Sequence, residues 1–275
     1  VNSNRIAILG TGSMGGAILH GLIASGTEAS DISVSTKSEA SAANLRDQLG
    51  VRGYSLETDA DANRSAVSGA DTVIVGVKPG YVLEVLGEVA DSLSEGALVI
   101  SVAAGITTAA METTVSNPVV RAMPNTPSVV GRGVTGIAKG SRASAADLAT
   151  ATKVFESVGK VLVIDESQID ALSTISGSGP AYVFYLIEQF TATAVAMGFS
   201  AEQAEVMVHD TFLGASELLA SSGKSPEELR KQVTSPNGTT MRAVAVLEDA
   251  QLKETFDKAT AAALARAKEI AEGNL

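Results

Sequence analysis

Two short segments combine residue types and spacing that can do chemistry. They are Gly10-Thr11-Gly12-Ser13-Met14-Gly15 and Ser235-Pro236-Asn237-Gly238-Thr239-Thr240. Each is a glycine-bearing turn followed at once by a helical pattern of apolar residues. A helix start leaves its first backbone N–H groups without partners inside the helix, and the helix dipole adds partial positive charge there. Such turns suit anions, a pyrophosphate at the first and a carboxylate at the second. For the second, an ordinary capped helix is an equally good reading of the segment taken alone. Pro236 fixes φ and Asn237 or Gly238 tolerates φ > 0, so a tight turn is expected there in either case.

The first segment has the context that a dinucleotide site requires, a strand (Ile6–Leu9) directly before it and a helix directly after. Gly10 permits the tight turn, Gly12 lets the backbone approach a pyrophosphate, and Gly15 lets the helix lie close to the strand. NAD-selective sites place a carboxylate at the end of the second strand to bind the ribose 2′-hydroxyl. This chain has Ser35-Thr36-Lys37 there instead. A carboxylate would repel a 2′-phosphate, whereas two hydroxyls and a cation would hold it. The coenzyme expected is NADPH, with NADH used more weakly.

Other catalytic devices are missing. The two histidines, His20 and His209, fall inside helical segments and read as structural or surface residues. There is no cysteine, and neither a metal-ligand set nor a Ser/His/Asp set stands out. Reduction of a ketone would need a proton donor for the developing alkoxide. A substrate protonated before hydride arrives would need only positioning and backbone dipoles.

The elements that must hold these turns are legible from hydrophobic pattern. Strands are expected at 6–9, 32–34, 72–77 and 98–102, with helical segments at 13–25, 38–49, 60–68 and 80–92 between them. That alternation is the rhythm of a parallel, doubly wound sheet. Apolar runs at 119–122, 134–137 and 161–164 extend the sheet, with a helix over 144–157. From Ser167 onward strand signals vanish and the pattern is helical throughout. The fold class expected is therefore α/β, an N-terminal Rossmann-like doubly wound sheet (1–166) followed by an all-helical domain (167–275). The segment Ala181–Phe190 is apolar on nearly every face. A helix of that kind must be covered all round, and a helical domain of this size has a limited interior, so a second subunit is expected to cover it. In the last helix Leu252, Phe256, Ala259, Ala263, Ala267 and Ile270 form a narrow stripe suited to close helix packing.

Composition narrows the partners. Among 275 residues, 45% are hydrophobic and 19% charged, as in an ordinary globular protein. A formal net charge of -11 with no basic tract speaks against nucleic acid. The longest apolar run is too short to span a bilayer. Absence of cysteine fits the cytoplasm, and a first strand beginning near Val1 leaves no room for a signal peptide.

The segment 233–248 resembles the C-terminal signature of pyrroline-5-carboxylate reductases. That family usually writes Ser-Pro-Gly-Gly-Thr-Thr, so Asn237 departs from it, although Asn also enters φ > 0 readily. Further likenesses run in order along the chain from residue 6 to residue 248. The resemblance implies that Val77-Lys78-Pro79 and Ala103-Ala104-Gly105 flank the nicotinamide ribose and ring, and that Asn63 lies near the adenosine. It implies that Arg121–Pro127 crosses the cleft and that Ser176–Tyr182 enters a dimer-forming helix. It also implies NADPH-dependent reduction of Δ1-pyrroline-5-carboxylate to L-proline by a homodimer or larger homo-oligomer, the 235–240 loop meeting the partner's nucleotide domain. The backbone N–H groups of Gly238, Thr239 and Thr240, with Ser235, would take the substrate carboxylate, and the Thr240 hydroxyl would lie beside the ring nitrogen as the catalytic contact.

Two rival readings share the nucleotide-binding half. A β-hydroxyacid or 6-phosphogluconate-type dehydrogenase would use a lysine early in the helical domain, and 167–202 contains none. A non-catalytic dinucleotide sensor would not need the Ser235–Thr240 loop.

Overall fold

The computed structural model describes residues 4–271, with side chains described through residue 269. In chain order the regular elements begin with β1 (Ile6–Leu9), α1 (Ser13–Ala24), β2 (Ile32–Thr36), α2 (Glu39–Leu49), β3 (Arg52–Ser55), α3 (Ala62–Val67), β4 (Thr72–Val75) and α4 (Val82–Val89). They continue with β5 (Leu98–Ser101), α5 (Thr108–Glu112), β6 (Val119–Met123), β7 (Gly133–Lys139), α6 (Ala145–Glu156), β8 (Gly159–Val163) and α7 (Ile169–Leu172). Helices follow, namely α8 (Gly179–Ala196), α9 (Ala201–Ser222), α10 (Pro226–Gln232), α11 (Thr239–Asp249) and α12 (Leu252–Ala271). The Rossmann-like sheet followed by helices is the architecture expected.

The sheet has eight strands in the order β3-β2-β1-β4-β5-β6-β7-β8. From β1 the chain builds outward first through β2 and β3, then on the other side through β4 and β5. A switch point therefore lies between β1 and β4, where Ile8 sits opposite both Val34 and Ile74. Side chains alternate between two apolar layers. Ile6 and Ile8 join Ile18, Leu22, Val34, Ile100 and Phe155 on one face. Ala7 and Leu9 join Val67, Val75, Leu86, Met111 and Val119 on the other. Burial on both faces is why these strands read as continuous β-branched runs.

Three features differ from the sequence reading. β3 (Arg-Gly-Tyr-Ser) pairs at the sheet edge beside β2 and has no apolar run to announce it. β7 runs antiparallel to β6, with Ala122 opposite Ile137. The connection 124–132 is shorter than the dozen or so residues a parallel crossover takes. The chain also divides into its two compact units after Ser178, twelve or so residues beyond the change in sequence pattern near 166. One unit comprises 1–178 and 263–275, the other Gly179–Ala262. The short α7 and the π-turn Ser173–Gly177 lie on the near side of that division.

Within the second unit α8 packs beside α9, and the Tyr182 and Phe256 rings lie 6.4 Å apart. Much of its apolar surface stays uncovered by this chain. Phe184 is 66% exposed, Tyr185 60% and Phe190 52%. Leu252 and Phe256 of the expected stripe are also exposed, and the Ile270 side chain lies outside the described residues. Among the described residues no helix is long and apolar enough to cross a membrane.

Candidate functional site

The glycine turn is built as its spacing demands. Gly10 has φ +87, and a Cβ there would lie 3.0 Å from Val77 Cγ1. A Cβ on Gly15 would fall 2.2 Å from the Gly10 carbonyl oxygen, so α1 packs onto the turn only because residue 15 lacks one. Gly12 is the opposite case, with no atom within 4 Å of a Cβ position. It faces open space and is also the N-cap of α1, whose first turn carries no acidic residue. The N-terminal N–H groups of α1 thus meet neither a capping side chain from Gly12 nor a neighbouring carboxylate. A pyrophosphate fits such a cradle.

The turns after four strands gather at the carboxyl edge of the sheet. The Gly10 N–H donates to the Ser35 carbonyl at 3.2 Å, that of Gly76 to Leu9 at 2.8 Å and that of Val102 to Val75 at 3.1 Å. These bonds bring Gly10–Gly15, Ser35–Lys37, Val77–Pro79 and Ala103–Ala104 into one region. Thr11 and Met14 are half-buried, whereas Ser13, Lys37, Lys78, Pro79 and Ala104 are exposed and Ala103 is buried.

The end of β2 is arranged differently from the expectation that both hydroxyls face a phosphate. Ser35 and Thr36 are 2% and 5% exposed. The Ser35 hydroxyl donates to Asn63 Oδ1 at 2.7 Å and the Thr36 hydroxyl to the Ser38 carbonyl at 2.8 Å. Both hydrogens are therefore spent inside the fold, and Lys37 is the residue of the three that reaches solvent. Asn63, also buried, donates to Glu88 Oε2 at 2.9 Å and so braces Ser35 from α3. Lys37 Nζ sits 5.6 Å from the centroid of the Tyr81 ring.

Arg121 carries a role that the sequence reading missed. It is 3% exposed in β6 and pairs with Asp170 at 2.5 Å and Glu166 at 3.7 Å. Glu166 also accepts the Thr108 N–H at 2.7 Å and its hydroxyl at 2.5 Å. This network anchors the segment just after Ala103–Gly105. A cavity of about 70 Å³ opens beside it, lined in part by Ala104, Gly105, Arg121 and Met123. An arginine in an apolar central strand signals a buried partner, but nothing local identifies residues 45 and more positions away. Asn125, further along the 121–127 segment, bridges the Ser176 carbonyl and the Val134 N–H, each at 2.8 Å.

The second anion-suited turn lies in the other compact unit. Asn237 adopts φ +61, the conformation expected of it, and the Gly238 N–H closes the turn on the Ser235 carbonyl at 3.1 Å. A Cβ on Gly238 would lie 2.5 Å from Ser235 Oγ. Gly238 is the N-cap of α11, again with no acidic residue in the first turn, and Ser235, Thr239 and Thr240 are exposed. By contrast α2, α6, α9 and α10 each start at a serine whose side chain accepts a first-turn N–H. The helices at the two motifs start without such a side-chain cap, as α3 and α4 also do. His20 and His209 are exposed on α1 and α9, the latter beside Glu205 at 3.8 Å.

Comparison with known proteins agrees with both halves. Residues 166–270 match the family described as pyrroline-5-carboxylate reductase dimerisation, and residues 5–105 match the family described as NADP oxidoreductase, coenzyme F420-dependent. Pyrroline-5-carboxylate reductase of Corynebacterium melassecola is 38% identical over 270 residues, covering 96% of this chain and 98% of that protein. The solved pyrroline-5-carboxylate reductase of Coxiella burnetii superposes with a TM-score of 0.91 at 38% identity, covering 98% of each chain. The Plasmodium falciparum pyrroline carboxylate reductase, solved with NADP bound, gives 0.82 at 26% identity over 98% of this chain and 99% of that one.

Proposed function

The chain belongs to the pyrroline-5-carboxylate reductase family, and from that premise we propose how its own residues serve the reaction. The protein is an oxidoreductase that reduces Δ1-pyrroline-5-carboxylate to L-proline with NADPH, the last step of proline biosynthesis. The hydride for imine carbon C5 comes from the bound coenzyme. The chain supplies binding, orientation and charge. The observation that carries this division of labour is the pair of glycine-capped helices, α1 and α11, each free of acidic residues in its first turn.

At α1 the N–H groups following Gly12 take the pyrophosphate, and Thr11, Ser13 and Met14 line its approach. Lys37 meets the 2′-phosphate, an assignment supported by its exposure and by the absence of a carboxylate at the end of β2. Val77–Pro79 and Ala103–Ala104 take the nicotinamide end, the latter held by the grip of Glu166 on Thr108. Asn63 acts from beneath, through Ser35.

At α11 the N–H groups of Thr239 and Thr240 bind the substrate carboxylate. The Gly238 N–H, expected to join them, is instead spent on the Ser235 carbonyl, so Gly238 and Ser235 shape the turn. The Thr240 hydroxyl lies beside the ring nitrogen, accepting from the iminium and then steadying the product amine. No acid need be close by, because the imine nitrogen is protonated before reduction. The two motifs belong to different compact units, and we place the 235–240 loop against the nucleotide unit of a partner subunit in a homodimer. The region 167–275 then serves both dimerisation and substrate binding. A cytoplasmic location belongs to the same reading, supported by the lack of cysteine.

The test follows NADPH oxidation at 340 nm with Δ1-pyrroline-5-carboxylate, for the wild type and Thr240→Ala, with NADH run alongside. Rapid turnover preferring NADPH is expected. A hydrogen bond to a charged group contributes about 1.5–3 kcal/mol, so Thr240→Ala should lower kcat/KM about ten- to a hundredfold with little change in Tm. NADPH binding without turnover would favour the sensor reading. Unchanged kinetics in Thr240→Ala would remove that residue from the reaction.

A further inference from the structure

We propose that Tyr81 sets the coenzyme preference by holding Lys37 in position for the 2′-phosphate. The inference deepens the reading above, because it assumes that the reduced coenzyme sits at the carboxyl edge of the sheet. Of the three residues at the end of β2, only Lys37 has a polar group that the fold leaves available. A lysine on a solvent-exposed turn is flexible, and ordering its long side chain costs entropy that weakens any bond it makes. Something must hold the ammonium near its target in advance.

The nearby carboxylates do not do so. Glu39, two residues on, bonds Arg46 and accepts from the Thr58 hydroxyl, while Glu57 accepts the Glu39 N–H at 2.8 Å. Among the described residues Lys37 makes no ion pair. Instead its Nζ lies 5.6 Å from the centroid of the Tyr81 ring, within cation–π range. The difference matters chemically. A carboxylate partner would neutralise the cation and repel a phosphate, whereas a ring face orders the ammonium and leaves its full charge for an anion.

Tyr81 suits this task for a reason of its own. It is 51% exposed, at the end of the short Pro79–Tyr81 turn that follows Val77-Lys78. An aromatic ring held half in solvent contributes little to the core, and Pro79 restrains the turn that carries it. The ring thus links the β4 turn to the β2 turn across the face where the adenosine end of the coenzyme belongs. Tyr81 is a positioning residue, acting through Lys37.

Equilibrium titration of the full-length enzyme with NADPH and with NADH, read by coenzyme fluorescence, tests this without any imine present. An exposed cation–π contact corresponds to about a two- to fivefold change in affinity. Tyr81→Leu should therefore raise the Kd for NADPH by about that factor and leave the Kd for NADH unchanged. Tyr81→Phe keeps a ring and should bind NADPH as the wild type does. On a Lys37→Ala background, Tyr81→Leu should add nothing, since the two act as one unit. Equal weakening of NADPH and NADH would mean that the ring touches the part they share, and would overturn the proposal. So would an unchanged NADPH Kd in Tyr81→Leu. An enzyme that shows this Tyr81-dependent preference yet reduces no pyrroline carboxylate would refute the proposed reaction and leave the role of Tyr81 standing.

Discussion

Gly12 and Gly15 are the same residue type three positions apart, yet they are glycines for opposite reasons. A methyl on Gly15 would drive into the Gly10 carbonyl oxygen at 2.2 Å, and overpacking of this kind costs about 1–3 kcal/mol. Gly15→Ala should lower Tm by several degrees and weaken coenzyme binding as a consequence. At Gly12 the φ of −68 suits alanine and no atom lies within 4 Å. Gly12→Ala should therefore melt with the wild type but bind NADPH about tenfold or more weakly, because the methyl fills the space a phosphate needs. Melting curves and coenzyme titrations of the two variants separate these cases. Wild-type NADPH affinity in Gly12→Ala would show that the phosphate sits elsewhere. Sequence spacing alone identified all three glycines, since a strand–turn–helix leaves few ways to arrange them. It could not show that the hydroxyls of Ser35 and Thr36 are spent internally, because their partners, Asn63 and the Ser38 carbonyl, are chosen by the fold.

Among the elements, the short α5 shows how a peripheral piece is locked to the sheet. Its last residue, Glu112, accepts from the Ser141 hydroxyl at 2.8 Å and the Arg142 N–H at 3.1 Å, beyond the end of β7. Arg142 in turn donates to the Glu112 and Val115 carbonyls at 3.2 and 2.5 Å. A Cβ on Gly140 would lie 2.6 Å from both Glu112 Oε1 and Val119 Cγ2, so a side chain there would displace the docked carboxylate or the valine. Partial burial pushes the Glu112 carboxyl up, but the Ser141 and Arg142 bonds outweigh it and hold the group below the usual carboxylate range. A depressed folded-state pKa contributes stability that is present above the unfolded value and lost as pH falls through the folded one. Wild-type Tm should therefore fall more steeply than that of Glu112→Gln as pH drops from about 5 to about 3. Parallel Tm–pH slopes would show that this clasp does not titrate with unfolding. The sequence concealed α5 because five residues make barely more than a turn, and concealed β3 because its Arg-Gly-Tyr-Ser has no alternating apolar face.

At the scale of the molecule, the second unit is not self-sufficient. Phe184, Tyr185 and Phe190 on α8 present more than half their surface, and Val206, Leu213 and Leu218 on α9 do likewise. Apolar patches of that extent mark an interface, and this region matches a dimerisation family. Each buried aromatic contributes about 1.5–3 kcal/mol, and a two-fold interface counts it twice. Phe184→Glu should weaken the dimer about a hundredfold or more by sedimentation and abolish turnover while NADPH binding persists. A dimeric, fully active Phe184→Glu enzyme would place the interface elsewhere.

Read alone, the sequence determined the strand–glycine–helix cradle, the sheet-then-helices order, the Asn237 turn and the need for a cover over α8. All of these rest on local propensity and hydrophobic period, which act over a few residues. The tertiary structure decided what depends on distant pairs. It reversed β7 because its connection is too short to cross over, and matched Arg121 with Asp170 and Glu166. It also sent Ser35 and Thr36 inward and set Tyr81 beneath the Lys37 ammonium. Arg121 with its two carboxylates, Ser35 with Asn63 and Lys37 with Tyr81 join residues dozens of positions apart, and no local pattern can choose among the candidates, because each is settled by which groups the packed core leaves within reach.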